Sequence, residues 1–191
     1  MTTPRARFPM RERVSGGSNA MHVGTVLLLA GILSLFATGE SHAQDRGSLW
    51  AAGLAVGSQA VDGRSSRTGV SGHAAYGHAL NDILLLGGEA SVWINRASTS
   101  IMQSSLNAVA TIYPVASADL FIKLGLGFAY LTENSSSGRE NDFGLGLVAG
   151  LGYDIVAGDV LSIRPFVNVV GGAFPGTSTT LLEFGVGVSW P

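Results

Sequence analysis

The stretch Leu182-Glu183-Phe184-Gly185-Val186-Gly187-Val188-Ser189-Trp190 alternates large apolar residues with small or polar residues at every position. Successive side chains of a β-strand point to opposite faces of the sheet. The stretch therefore predicts a strand with one apolar face and one small, polar face. The same alternation recurs in segments of about ten residues from Ser48 to the end of the chain, which is typical of a β-sheet protein.

Eight such segments can be drawn, and their lengths suit tilted strands that cross a bilayer, which need about 9–11 residues. The predicted strands are 48–57, 69–80, 83–94, 105–115, 120–131, 142–154, 160–170 and 181–190. Their number is even, so both ends of the domain are expected at the end of the barrel with the short turns (the turn end), which would be periplasmic.

The connections between the predicted strands alternate in length. Four long loops, rich in Ser, Gly, Thr and Asn, are predicted at 58–68, 95–104, 132–141 and 171–180, and three short turns at 81–82, 116–119 and 155–159. Long loops on one side and short turns on the other are typical of an up-and-down meander. The predicted fold is therefore an all-β, eight-stranded antiparallel barrel.

The composition decides which face of that barrel points outward. The 191 residues include 27 glycines, and 13% of them are charged, against about 25% in ordinary soluble domains. The polar parity is mostly Gly and Ser, too poor in charge to cover a water-facing surface. We therefore predict a transmembrane barrel with its apolar parity toward lipid. A soluble, lipocalin-like periplasmic binding protein is the alternative.

Other classes are disfavoured by the same composition. The net charge of −2 gives no electrostatic basis for binding nucleic acid. No cysteine is present, which excludes disulfides, thiolate metal sites and a lipidated cysteine. We expect no cofactor and no metal, and we expect a monomer.

The N-terminus reads as an export signal. Four arginines between residues 5 and 13 precede the apolar run at 23–37, and Ser41-His42-Ala43 places small residues before Gln44. The rival interpretation is a membrane anchor, but the run of about 15 residues is shorter than the roughly 20 needed to span a bilayer. We predict a signal peptide at 1–43, cleavage between Ala43 and Gln44, and a barrel domain at 44–191. Translation could also start at Met10 or Met21.

Five polar residues share the parity that would face the lumen. They are His73, Glu89, Lys123, Arg164 and Glu183. Buried charges must pair, because an isolated one costs several kcal/mol or more. Glu89, Lys123 and Arg164 lie at comparable distances from the short turns, so they could meet in the half of the lumen nearer those turns. The residues predict either a polar plug that fills the barrel or a gate whose opening would admit ions.

Aromatic residues near the strand ends are a second candidate feature. Those near the short turns are Trp50, Tyr113, Tyr153 and Trp190, and those near the long loops are Trp93, Tyr130 and Phe143. Amphipathic rings favour the membrane–water interface. We predict that these residues form two interfacial girdles.

Two stretches, 113–130 and 182–190, resemble the small outer-membrane β-barrel family, which includes the OmpA transmembrane domain, OmpX-like proteins and opacity-type proteins of the porin family. The resemblance implies a bacterial outer-membrane location and contact with outer-membrane lipid and lipopolysaccharide. It also implies recognition by the barrel-assembly machinery through Leu182 to Trp190, although that signal usually ends on its aromatic residue and here Pro191 follows. The chain would then have a structural or surface-interaction role, with a host or surface ligand bound by the loops.

Some barrels of this kind modify lipid A, so an enzyme must be considered. An acyl hydrolase needs an activated serine beside a histidine, in a His-x-Ser element of a late strand that faces the bilayer. No histidine follows His78, and Ser71 and His73 share the inward parity. We therefore expect no enzymatic activity. A small gated ion pore and a lipid A-modifying enzyme stay as alternative functions.

Overall fold

The structure, a computed structural model, describes residues 47–61, 66–96, 100–115, 118–135 and 138–191. The predicted signal peptide and the cleavage site lie outside these ranges, and so does Arg64, which with Arg67 makes the predicted first loop at 58–68 basic. The strands are β1 (Ser48–Val61), β2 (Arg67–Ala79), β3 (Leu84–Arg96), β4 (Ser100–Ile112), β5 (Leu120–Ser135), β6 (Gly138–Tyr153), β7 (Ile155–Val156), β8 (Ser162–Phe174) and β9 (Thr177–Trp190). In the described part of the chain, no helix is long and apolar enough to cross a membrane.

The strands form one closed antiparallel sheet in the order β6-β5-β4-β3-β2-β1-β9-β8, with β6 pairing to β8 to complete the ring. The first and last strands meet along a seam in which Trp50 lies opposite Trp190. The two-residue strand β7 adds a short pairing of Ile155 with Ile163 at the turn end. Closure leaves no strand edge along the wall, which a structure surrounded by lipid requires. The predicted eight-stranded transmembrane barrel is confirmed.

The apolar parity forms the outer wall. Leu54 is 73% exposed and Leu126 is 69% exposed, values that a water-soluble protein would rarely allow along whole strands. Their sequence neighbours of the other parity, such as Ala55 and Gly125, face the lumen. The outer wall is therefore an apolar surface that lipid would cover, as the low charge content predicted.

The strands are longer and the loops shorter than predicted. Strand β1 continues to Val61, β4 already begins at Ser100, and β5 and β6 pair from Leu120 opposite Tyr153 to Ser135 opposite Gly138. Only Pro175 and Gly176 separate β8 from β9. The predicted loops were too long because Ser, Thr and Asn sit readily in a ladder whose hydrogen bonds continue. A polar composition marks where the wall leaves lipid rather than where the strand ends.

Two of the seven predicted girdle aromatics lie inside the barrel. Trp93 and Tyr113 are each 1% exposed. Trp93 shares its parity with Glu89 and Ser91, which also face inward. The prediction failed for these two residues because it used position along the strand and ignored parity.

Glycines and large side chains fill the lumen together. Strand β6 presents Gly146, Gly150 and Gly152 to the interior, and a Cβ atom at these positions would meet Asn107, Asn168 and Phe121 respectively. The large side chains of neighbouring strands therefore lie across the bare backbone of β6. This complementarity fits an eight-stranded barrel, whose interior is only wide enough to be filled by side chains.

Candidate functional site

The lumen contains a buried ion pair near its middle. Lys123 on β5 donates to Glu89 on β3, with 2.6 Å between Lys123 Nζ and Glu89 Oε2. The intervening strand β4 presents Asn107 opposite Glu89 and Thr111 opposite Lys123. Two long side chains thus meet across the inner surface of β4. Removing either partner would leave the other charge buried and unpaired.

Arg164 belongs to a different cluster, at the turn end of the lumen. Its guanidinium donates to both carboxylate oxygens of Asp154, at 2.6 Å from Nε and 2.9 Å from Nη2. Nη2 also donates to the Tyr113 hydroxyl at 2.8 Å, and that hydroxyl donates to Asp154 at 2.8 Å. The guanidinium carbon lies 4.3 Å from the ring centroid of Phe121. Arg164 therefore pairs with Asp154, whereas Glu89 pairs with Lys123.

Glu183 and His73 belong to neither of these two clusters. The Glu183 carboxylate is hydrogen-bonded to the side chains of Ser71 and Asn168. The His73 ring packs edge-on against Phe166, with 4.8 Å between the centroids and 75° between the planes. Ser71 is thus engaged by a carboxylate acceptor within the lumen.

A small cavity lies between the Glu89–Lys123 pair and the Arg164 cluster. It has a volume of about 40 Å³, and its lining includes His73, Glu89, Lys123 and Arg164, so it has hydrogen-bonding groups and enough room for a few water molecules. The structure therefore brings four of the five predicted lumen residues to one cavity, although their charges are paired in two separate clusters.

A cluster of buried apolar side chains lies mostly toward the loop end of the lumen. The buried cluster there consists of Trp93, Ile101, Val109, Ala129, Leu131, Val148, Val170, Phe174 and Leu181. These residues come from β3, β4, β5, β6, β8 and β9, so the cluster extends across most of the barrel's circumference. We call it the apolar layer.

Polar side chains accompany the apolar layer on the neighbouring strands. Gln59 Nε2 donates to Gln103 Oε1 at 2.6 Å, and Thr179 Oγ1 donates to the same oxygen at 2.8 Å. Gln59 lies opposite Leu181 and Gln103 opposite Trp93 in the ladders. These contacts join three strands around the loop end of the lumen.

The residues that sequence reasoning missed are Tyr113 and Asp154. Asp154 continues the inward parity of Gly150 and Gly152, and Tyr113 continues that of Thr111. Both could have been assigned to the lumen by counting in steps of two. Within the described ranges, no group of three or more His, Asp or Glu residues could hold a metal ion.

Three solved structures resemble this barrel. Neisserial surface protein A is 17% identical, with a TM-score of 0.65 over 80% of this chain and 99% of the other. Ail, the attachment invasion locus protein of Yersinia pestis, is 15% identical, with a TM-score of 0.55 over 76% and 100%. The N-terminal β-barrel domain of Pseudomonas aeruginosa OprF is 17% identical, with a TM-score of 0.50 over 77% and 100%.

These neighbours are small eight-stranded barrels of the bacterial outer membrane. At 15–17% identity the likeness is one of fold. No protein-family profile matches the sequence, and no curated protein matches it. The chain has the fold of the small outer-membrane β-barrel proteins, as the resemblance at 113–130 and 182–190 predicted.

Proposed function

We propose that this protein is a monomeric bacterial outer-membrane barrel with a structural or surface-interaction role and a closed lumen. The observation that carries the proposal is the combination of an apolar outer wall with an interior filled by side chains. The outer wall requires lipid around it, because its exposed leucines and valines would be costly in water. The filled interior is suited to stability rather than to passage of solutes.

A surface role is supported by the loop end of the barrel. Hairpin β5–β6 is longer than the others and carries the exposed charged residues Arg139 and Glu140 near its tip. Rigid scaffolds commonly place binding residues at such ends. The names of two structural neighbours, a surface protein and an attachment invasion locus protein, suggest the same kind of role. The partner would be a host or surface ligand, with lipopolysaccharide around the wall.

The absence of enzymatic activity is part of the proposal. Ser71 bonds to Glu183 inside the lumen, where an acyl chain in the bilayer does not reach. Ser48 does meet a histidine on the outer wall, with 3.3 Å between Ser48 Oγ and His78 Nδ1. Within the described residues, however, no side-chain carboxylate bonds to that imidazole, and a triad needs one to orient it.

The second candidate function is a small gated ion pore, which the Glu89–Lys123 pair favours. Charges buried in a lumen can serve as a gate if they exchange partners. The apolar layer argues against this candidate, because separating the two charges leaves the aliphatic and aromatic side chains above them in place. We therefore propose that the apolar layer keeps the lumen closed.

The test of location and architecture is gel mobility of membrane fractions, boiled against unboiled. A closed barrel resists detergent at room temperature, so the unboiled protein is expected in the outer-membrane fraction with a shifted band. A single unshifted band in the soluble periplasm would contradict the proposal. The soluble, lipocalin-like binding protein would then be the better assignment.

A further inference from the structure

The outer wall carries a row of three aromatic residues across the seam. Tyr76 on β2 lies opposite Trp50 on β1, which lies opposite Trp190 on β9. All three rings are exposed. The rings of Trp50 and Tyr76 are in contact, with 4.7 Å between centroids and 49° between planes. The row lies near the turn end, where β1 begins and β9 ends.

Polar groups lie next to this row, one step closer to the turn end. Ser48 Oγ is 3.2 Å from the Tyr76 hydroxyl and 3.3 Å from His78 Nδ1. Ser48 lies opposite His78 in the ladder, and His78 is exposed. The tyrosine therefore points its hydroxyl toward the turn end of the barrel. The hydroxyl and imidazole groups lie two residues along the strands from the apolar rings.

The surrounding wall at this level is mostly aliphatic. Its exposed large residues on the other strands include Leu86, Ile122, Val156 and Ile163. Tyr153 on β6 is the main exception in the described part of the wall. A generic interfacial girdle would spread aromatic residues around the circumference, whereas here three of them and their polar neighbours are gathered on β9, β1 and β2.

We propose that Ser48, Tyr76 and His78, together with the Trp50 and Trp190 rings, form a site for the phosphodiester headgroup of a phospholipid. The hydroxyl and imidazole groups supply hydrogen-bond donors, and the set contains no carboxylate to repel a phosphate. The rings supply an apolar wall at the depth of the glycerol and first acyl carbons. The proposal rests on the outer-membrane placement proposed above, because the short turns of outer-membrane barrels face the periplasm, on the side where the leaflet is made of phospholipid.

The test compares the phospholipid retained by the full barrel with that retained by variants. The protein is reconstituted with phosphatidylethanolamine or, separately, with diacylglycerol of the same acyl chains, which lacks the phosphate. Bound lipid is counted by native mass spectrometry. Wild type is expected to retain one phosphatidylethanolamine and much less diacylglycerol. The triple variant Ser48→Ala, Tyr76→Phe, His78→Ala should retain about tenfold less phospholipid, the factor that about 1.4 kcal/mol represents.

Tyr153→Phe is the matched control, because it removes a hydroxyl from the same level of the wall on β6. Unchanged retention in this control together with the loss in the triple variant supports the site. Equal retention in wild type and triple variant, or equal retention of the two lipids, would overturn it. If the triple variant does not fold, the single variant Tyr76→Phe, which keeps the ring, takes its place.

Heat-modifiable mobility and outer-membrane fractionation of the same samples separate this inference from the function on which it rests. A shifted band in the outer membrane with no phospholipid difference rejects the site alone. A soluble, unshifted protein rejects the outer-membrane proposal, and the site with it.

Discussion

The charged residues of the lumen affect stability through the pairs that they form. Glu89 and Lys123 are joined at 2.6 Å, and both are buried. Their individual placement follows from parity, which the sequence predicted. Their pairing depends on the width of β4 between them and on the length of the two side chains. Removing one member of such a buried pair lowers the stability of the fold more than replacing both members does, because the remaining charge is left unpaired.

We expect Lys123→Met to destabilise the barrel by about 3–5 kcal/mol, because it leaves the Glu89 carboxylate buried without its cation. The double variant Glu89→Gln, Lys123→Met should be clearly less destabilised than the single one. Urea unfolding of refolded protein in lipid vesicles, followed by tryptophan fluorescence, measures both. A Lys123→Met barrel as stable as wild type would contradict the expectation.

The glycines of β6 matter for the space they leave. A Cβ atom at Gly150 would meet the side-chain oxygen of Asn168, which is buried and bonds to Glu183 through its amide. Gly88 on the lipid face is different, because a Cβ there would find its nearest atom, the Asn107 carbonyl oxygen, at 3.7 Å. A glycine is therefore needed for packing at position 150, inside the lumen, whereas at position 88, on the lipid face, a larger residue would fit.

We expect Gly150→Ala to cost about 1–3 kcal/mol, since extra volume in a filled interior forces side chains to shift. Gly88→Ala is the matched control and should leave stability nearly unchanged. Both are measured by the urea midpoint in the same vesicles. Equal midpoints for the two variants would show that the lumen around Asn168 has room to spare.

At the scale of the strands, alternation predicted the ladders well and their ends poorly. The predicted last strand, 181–190, covers the last ten residues of β9, yet the strand begins four residues earlier, at Thr177. The preceding turn is Pro175-Gly176, with a φ of +76° at Gly176. Proline followed by a glycine of positive φ is typical of a type II turn. This local signal was present, but the Ser and Thr residues around it favoured a loop.

The last strand also carries the predicted recognition by the barrel-assembly machinery. We expect Trp190→Ala to reduce the heat-modifiable protein in the outer membrane of cells severalfold, while the purified variant still refolds in vesicles. Trp50→Ala is the control, because Trp50 is the ladder partner of Trp190. A similar loss in both variants would assign the effect to packing of the seam and contradict recognition through the last strand.

At the scale of the whole molecule, the apolar layer lies mostly on the loop side of the Glu89–Lys123 pair, beside the buried side chains of Gln59, Gln103 and Thr179. The cavity beside Glu89 and Lys123 has room for water, whereas the apolar layer is contributed by six of the strands and is buried. Water and ions avoid an apolar constriction, because it offers no replacement for their hydration shells. The layer, rather than the ion pair, is therefore the expected barrier.

We expect no steady ion current through wild-type protein in planar bilayers, and none through Glu89→Ala or Arg164→Ala. The double variant Trp93→Ala, Leu181→Ala removes two large side chains of the apolar layer and should open measurable current. Leu182→Ala, the lipid-facing neighbour of Leu181, is the matched control. A current in Glu89→Ala but not in the apolar-layer variant would favour the gated pore, and a current in wild type would contradict the closed lumen.

The sequence by itself determined the number of long strands, their up-and-down order and the face that most residues take, because alternation with a period of two and a low charge content can be read without knowing the fold. It placed His73, Glu89, Lys123, Arg164 and Glu183 in the lumen for the same reason. Only the tertiary structure decided their partners. The stagger between neighbouring strands sets which residues share a level, and that stagger arises from closing the whole ring. It is why Arg164 meets Asp154 and Tyr113, and why Trp50, Tyr76 and Trp190 form one row across the seam.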